Sequence, residues 1–225
     1  MLLSCIVPNS IWHAQQPLKF GPISLTTRMT VIRLQDRSLW VHSPISPTRD
    51  LIDELQTVGA VRYVVAPNKS HHLFFLAFLN AYPLARGFIA PGLELKRPDL
   101  SRFPQVSRDA PWASEIQGTF IEGLPILNET VWFHGDTGTL VLTDLLFCFS
   151  KTNRGITGLV AKLLGVHGQL GMSRTMKLAT KDKQAVARSV LPLLALPVQR
   201  VIVAHDEIID EQPMAKLTQA FAWLK

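Results

Sequence analysis

Apolar and polar positions along this chain fall into two kinds of pattern. Short runs rich in Val, Ile, Thr and aromatic residues, bounded by Gly, Pro, Asn or Asp, predict strands at Met29 to Leu34, Leu39 to His42, Val61 to Ala66, Gly118 to Glu122, Thr130 to His134, Thr139 to Phe147 and Arg200 to Ala204. Between them the period changes to that of a helix. Phe75, Phe78, Leu79 and Tyr82 share one helical face that must end near Pro83. A second helix follows Thr180, with Val186, Val190, Leu193 and Leu194 on one side and Pro192 as a kink or early end. A third begins near Pro213, a residue suited to a first turn, and carries Met214, Leu217, Phe221 and Leu224 as its core stripe.

Strands with an early helix, a strand-rich middle, then helix, strand and helix predict a mixed sheet covered by helices. The segment Arg97 to Glu115, with Pro98, Pro104 and Pro111 and little periodicity, reads as a long surface loop. No repeat or low-complexity linker divides the 225 residues, so one domain over 1–225 is expected. A composition 47% hydrophobic and 18% charged excludes a disordered chain, and no run of apolar residues is long enough to span a bilayer.

The net charge of +6 would suggest a nucleic-acid partner were it spread evenly. It is not. From Lys151 to Arg188 the basic residues Lys151, Arg154, Lys162, Arg174, Lys177, Lys181, Lys183 and Arg188 face only Asp182, so this stretch carries the excess, and it lacks the aromatic interleaving of a single-strand binder. It reads as the solvated face of a basic helical insertion, about 151–188, or as a field that attracts an anionic substrate to the mouth of a cleft. Its glycines, Gly155, Gly158, Gly165, Gly168 and Gly171, would suit a lid. Cys5 and Cys148 form no Cys-x-x-Cys pair, and the opening residues lack a basic region before Pro8; both fit a cytoplasmic protein.

The candidate chemistry lies in histidines at strand ends. Val61 to Ala66 runs into a turn with His71 and His72; Thr130 to His134 leads through Gly135 and Gly138 to a strand containing Asp144; Val201 to Ala204 delivers His205. A carboxylate among Val141, Leu142, Leu145 and Leu146 needs a cation, a metal or several donors. Imidazole and carboxylate together are ligands for zinc, iron or manganese, and a catalytic site needs about three of them plus an open position. The Asp-Thr-Gly triplet at Asp136 occurs once, whereas an aspartic protease needs two such carboxylates, and no serine-hydrolase or phosphate-loop motif is present.

Strand, His-rich turn and helix, then a His-turn-strand reaching Asp, then a late strand ending in His resembles the metallo-β-lactamase superfamily. More narrowly, Leu39-Trp40-Val41-His42-Ser43-Pro44, Val64-Val65-Ala66-Pro67-Asn68 through His71-His72, Trp132-Phe133-His134 and Leu142-Thr143-Asp144 resemble the bacterial family known as domain of unknown function 4336. The likeness runs from about Val31 to Asp206, after an N-terminal extension of about 1–28. It implies an α/β fold, a four-layer αββα sandwich with mixed sheets and a site at one sheet edge.

The superfamily motif His-x-His-x-Asp-His is altered here: ending it on His72 puts His71 at its Asp, Lys69 at its second His and Pro67 at its first. By the same likeness His134 falls near the middle His, Asp144 at the bridging Asp and His205 at the final His. What the resemblance leaves is a site for one divalent ion, zinc ahead of iron or manganese, with His72, Asp144 and His205 as core ligands and His71 or His134 as a fourth. Asp144 and Lys69 are the catalytic candidates, Lys69 as oxyanion stabiliser. The implied function is metal-dependent hydrolysis of a small ester, lactone or phosphodiester by an activated water. The alternative is a degenerate, metal-free ligand- or partner-binding module, and an iron-based redox use is a third reading. The expected partner is a small-molecule substrate, anionic if the basic segment faces the cleft; the oligomeric state stays open.

Overall fold

The structure, a computed structural model, describes residues 2–20 and 23–225. Its first sheet takes β1 (Ser4–Val7), β2 (Ile11–Phe20), β3 (Ile23–Arg33), β4 (Leu39–His42), β5 (Val61–Ala66) and β6 (Arg86–Ile89) in chain order. Pairing is antiparallel from β1 to β4 and parallel from β4 to β6. The parallel crossovers carry α1 (Arg49–Val58) and α2 (Phe75–Ala81), as parallel neighbours require. Thr48 caps α1 through its hydroxyl, and α2 buries Phe75, Phe78 and Leu79, the stripe its sequence period predicts. A short α3 (Leu93–Lys96) follows β6.

The second sheet runs β11–β10–β9–β8–β7, from β7 (Ile116–Phe120), β8 (Thr130–His134), β9 (Thr139–Val141), β10 (Arg200–Ile202) and β11 (Ile208–Ile209), with only β9 and β10 parallel. Between β9 and β10 lie α4 (Gly155–Leu164), α5 (Arg174–Ala179) and α6 (Lys183–Leu194); α7 (Pro213–Ala220) comes last. Three apolar layers then define the sandwich. Leu51, Leu55, Phe75 and Phe78 pack on the outside of the first sheet, Val186, Val190, Leu193 and Leu217 on the outside of the second, and Trp40, Tyr63, Trp112, Trp132 and Ile202 fill the space between. The result is the αββα arrangement with two mixed sheets. Among the described residues no helix is long and apolar enough to cross a membrane.

Three expectations are corrected. The stretch read as an N-terminal extension supplies β1, β2 and more than half of β3, paired from Ile11↔Ile32 onward, with buried Leu3, Ile11 and Ala14; Met1, Gly21 and Pro22 lie outside the described residues. The segment Arg97 to Glu115 is not all surface, because its fully buried Trp112 packs edge-on and tilted among Trp40, Tyr63, Phe88 and Trp132 between the sheets. The strand expected over Thr139 to Phe147 stops at Val141. There the amide groups of Thr143, Asp144 and Leu145 turn away from the sheet and donate to the buried Glu129 carboxylate at 2.6, 2.8 and 3.2 Å.

Candidate functional site

The parallel strands β4, β5, β9 and β10 end at one edge of the sandwich, so the loops that follow them meet there, as loops after parallel strands tend to in α/β folds. β3 reaches the same edge from the other direction, because Thr30 pairs with His42 and so carries Thr26 and Thr27 past the end of β4. Four short connections thus bring together Thr26, Ser43, the turn from Pro67 to His72, Asp144 and His205.

At the centre Asp144 Oδ1 lies 3.3 Å from His71 Nε2 and 3.3 Å from His205 Nε2. The three ligand atoms all lie within 4.8 Å of one another. Each is held from behind. His205 Nδ1 is 2.7 Å from the carbonyl of Thr26, which can only accept, so Nδ1 carries the proton and Nε2 turns to the centre. His71 Nδ1 is 2.7 Å from Ser43 Oγ. Asp144 Oδ2 accepts from Asn68 Nδ2 at 2.9 Å, while Asn68 Oδ1 accepts from the amides of Ser70 and His71 at 2.7 Å each, setting the turn that aims His71 inward. Asn68 also donates to Glu129 and Thr143, and all of it is buried.

The loop after β10 is pinned across the two sheets by the buried Arg28 of β3, which donates to the carbonyls of Val203, Asp206 and Glu207. Asp206, in the left-handed region at φ 55°, accepts from Thr26 Oγ1 at 3.0 Å and from the amide of Ser150 at 3.2 Å. These partners fix His205 as firmly as the strand before it does.

Electrostatics matches the geometry. Burial alone would raise the Asp144 carboxyl, but the charge of His71 and hydrogen bonds from His205 and His71 hold it well below the usual carboxylate range. Burial likewise works to lower His71, and Asp144 overrides it, so the imidazole is raised, with a further contribution from Glu129. Glu129 itself is raised, by burial first and the Asp144 charge second, against hydrogen bonds from Thr143 and Asn68. His42, stacked on Trp40 at 5.3 Å, is pushed down to about 3 by burial and by His71, and stays neutral.

A divalent cation suits this donor set. With the Nδ1 proton of His205 committed to a carbonyl, its Nε2 presents a lone pair to the centre; His71, its ring centroid 5.3 Å away, can do the same when Ser43 Oγ accepts from its Nδ1. One bound cation satisfies both neutral imidazoles and the carboxylate at once.

The other residues singled out in the sequence stand elsewhere. His72, adjacent to His71, points away and bonds Arg97 at 3.1 Å; burial, with Lys96 and Arg97 nearby, pushes it down to about 4. His134 ends β8 at the Gly135 turn, and because β8 and β9 are antiparallel that end is opposite the one bearing Asp144; its Nδ1 is satisfied by Thr137 Oγ1 at 2.8 Å. Lys69 donates to the carbonyl of Pro125 at 2.9 Å and lies beside Gly92, outside the cluster. Ser43 and Asn68 entered the sequence reading only inside the segments that carry the family likeness, with no role given to them, and Thr26 and Glu129 were not singled out; an acid just before the apolar strand Thr130 to His134 is the signal that pointed to Glu129.

The cluster forms the floor of a cavity of about 610 Å³. Its walls come from Leu18, Ile23 and Leu25 of β2 and β3, Leu73 and Phe74 before α2, Phe147 and Phe149, and Val160, Leu164 and Met176 of the insertion. The insertion meets the cavity through these three apolar side chains together with the hydroxyl residues Ser173 and Thr175. None of its basic residues, from Lys151 to Arg188, is among the lining, in contrast to the charged mouth expected from the sequence.

Comparison with known proteins agrees with this architecture. Over nearly their whole lengths the solved metallo-β-lactamases superpose on the chain: a DIM-1 enzyme exposed to ceftazidime at TM-score 0.67 and 10% identity, covering 99% of this chain and 97% of that one; one from Pontibacter korlensis at 0.64 and 11%, covering 99% and 97%; and one from Erythrobacter litoralis at 0.65 and 11%, covering 98% and 96%. At such identities the likeness is one of fold. No curated protein matches by sequence. Residues 8–191 match the family described as "Domain of unknown function (DUF4336)", and the chain is a member of that family built on the metallo-β-lactamase fold.

Proposed function

We infer that this protein is a metal-dependent hydrolase that binds one divalent ion through His71 Nε2, Asp144 Oδ1 and His205 Nε2. The observation that carries the reading is the convergence of these three atoms, each oriented by a separate buried partner, on the floor of a cavity. An ion bound by two imidazoles and a carboxylate supplies Lewis acidity and lowers the pKa of water from its bulk value toward about 7. The chain's own residues do the rest. Thr26 fixes the His205 tautomer that turns Nε2 inward and Ser43 orients the His71 ring, His71 and His205 keep Asp144 ionised while Asn68 and Glu129 hold its side chain and backbone in place, and the apolar walls keep bulk water from the reacting group.

A single ion is favoured over a pair because the positions that would serve a first metal in the superfamily motif hold Pro67 and Lys69, and Lys69 is engaged with Pro125 away from the cluster. Zinc is the favoured ion on its preference for nitrogen and carboxylate ligands in fours. Metal analysis of untagged protein purified without chelator tests the reading, with one ion per wild-type chain expected. A protein that emerges without metal, and whose melting temperature does not respond to added zinc, manganese or iron, would overturn it in favour of a ligand-binding module.

A further inference from the structure

The cavity above the cluster has a composition that selects among hydrolase substrates. Leu18, Ile23, Leu25, Phe74, Val160 and Leu164 are among its walls, and the rings of Phe147 and Phe149 lie nearly parallel to His205, 4° and 3° from its plane, at centroid distances of 5.6 and 6.2 Å. Phe147 and Phe149 thus set two parallel apolar rings beside the imidazole of His205, and Phe149 packs with Ala161 and Val166 of the insertion. Lys19 is the one cationic lysine or arginine among the lining residues, and no arginine fork is present to grip a phosphate. The other polar lining, Thr27, Ser43, Ser70, Ser173 and Thr175, offers neutral hydroxyls, so an anionic phosphodiester would lose hydration for little compensating charge. The volume of about 610 Å³ suits a ligand of ordinary small-molecule size, the range for such sites being about 300–1,000 Å³.

We propose that the substrate is a carboxylic ester with an apolar acyl chain, the chain lying along Phe147, Phe149, Val160 and Leu164 and the ester carbonyl at His71, Asp144 and His205. The assignment rests on the hydrolase reading for where the bond is cut. In the reaction the oxygen of water bonds to the acyl carbon and the carbon–oxygen bond to the alcohol breaks. One water proton leaves on the alcohol, and the other is released when the acid ionises.

The chain-binding part is read directly by calorimetric titration of metal-free protein with butan-1-ol, hexan-1-ol and octan-1-ol, neutral probes with no bond to cut. Affinity should rise about fourfold per methylene if each is fully buried, and at least about tenfold in all from four to eight carbons. Val160→Gln, a polar group set into the wall, should flatten the series. Leu159→Gln, on the outer, exposed side of the same helix, should leave it unchanged. Metal-loaded protein should then cleave p-nitrophenyl octanoate with a higher kcat/KM than the butanoate. An alcohol series flat in wild type, a Val160→Gln protein that binds octan-1-ol as wild type does, or hydrolysis indifferent to chain length would overturn the proposal. Failure of the metal reading would appear instead as absent metal with the alcohol series intact, so the two failures are distinguishable.

Discussion

The β8–β9 hairpin has a buried titratable side chain at each end, and the two ends are built differently. At the turn end His134 is satisfied within its own loop, by Thr137 three residues on, and Thr137 is in turn bonded to Thr139 at 2.9 Å. At the open end Asp144 and Glu129 take partners from the loops after β5 and β10, and through His71 and His205 the network reaches Ser43 and Thr26 in the other sheet. A histidine whose bond is met locally needs nothing further from the fold. A carboxylate whose three side-chain partners come from two distant segments, two of them imidazoles turned to the same point and each held in turn by a further segment, is arranged beyond what burial requires.

The strongest way to break this contrast is to remove central atoms from both ends. His71→Ala and Asp144→Asn should each weaken metal binding by more than about 100-fold, since losing a ligand should exceed the 10- to 100-fold typical of losing an outer partner. His134→Ala and His72→Ala should leave binding within about threefold, because neither touches the cluster. Metal content after dialysis against a competing chelator decides it; a His72→Ala protein that loses metal as His71→Ala does would return His72 to the ligand set.

Glu129 sharpens the comparison through stability. Its carboxylate accepts three backbone amides and Asn68 in a fully buried position, so Glu129→Gln turns donors toward donors. A loss of about 3 kcal/mol is expected, the scale for hydrogen bonds to a buried charge, against about 1 kcal/mol for His134→Phe. Urea unfolding measures both, and equal losses would mean that Glu129 is no more than another local partner.

Why the sequence disclosed some of this and not the rest follows from the range of the forces. The stripes of α2, α6 and α7 are local, so their period was legible; Leu193 and Leu217 are buried where that period puts them. Asp144 and His205 were legible because each follows an apolar run. The family likeness ranked His72 as a core ligand and His71 as a candidate fourth, and the structure turns His71 to Asp144 instead, since the choice depends on Asn68 Oδ1 capturing the amides of Ser70 and His71, a turn geometry that periodicity does not encode. The placement of His134 near the metal came from the family likeness, and the antiparallel register of Trp132↔Val141 and His134↔Thr139 removes it to the far end. The strand at Thr139 was overextended because Glu129, ten residues before its start, takes the amides that would have continued the ladder.

Smaller in effect is Ser43, whose hydroxyl is the partner of His71 Nδ1. Ser43→Ala should weaken metal binding by about tenfold, the low end for loss of an outer partner to a ligating histidine, with the fold unchanged. Isothermal titration with zinc reads it. No change would indicate that Asn68 and the turn alone orient the ring.

The smallest expected effect belongs to the residue that the family motif made most conspicuous. Lys69 stands where a metal-binding histidine would be, and an ammonium there would repel a cation if it faced the cluster. Instead its Nζ donates to Pro125 and its carbonyl accepts from Lys96 Nζ at 2.7 Å, both at the exposed side of the turn. Lys69→Ala should therefore change stability by less than about 1 kcal/mol, as partly exposed charged groups do, and leave zinc affinity where it was. Lys69→His separates the two explanations of the altered motif. If only the residue type excludes a first metal, a second ion should bind and the stoichiometry should rise from one to two. If the backbone turn directs position 69 outward, as the Pro125 contact argues, the stoichiometry should stay at one, and the motif was lost in its geometry as well as in its side chains.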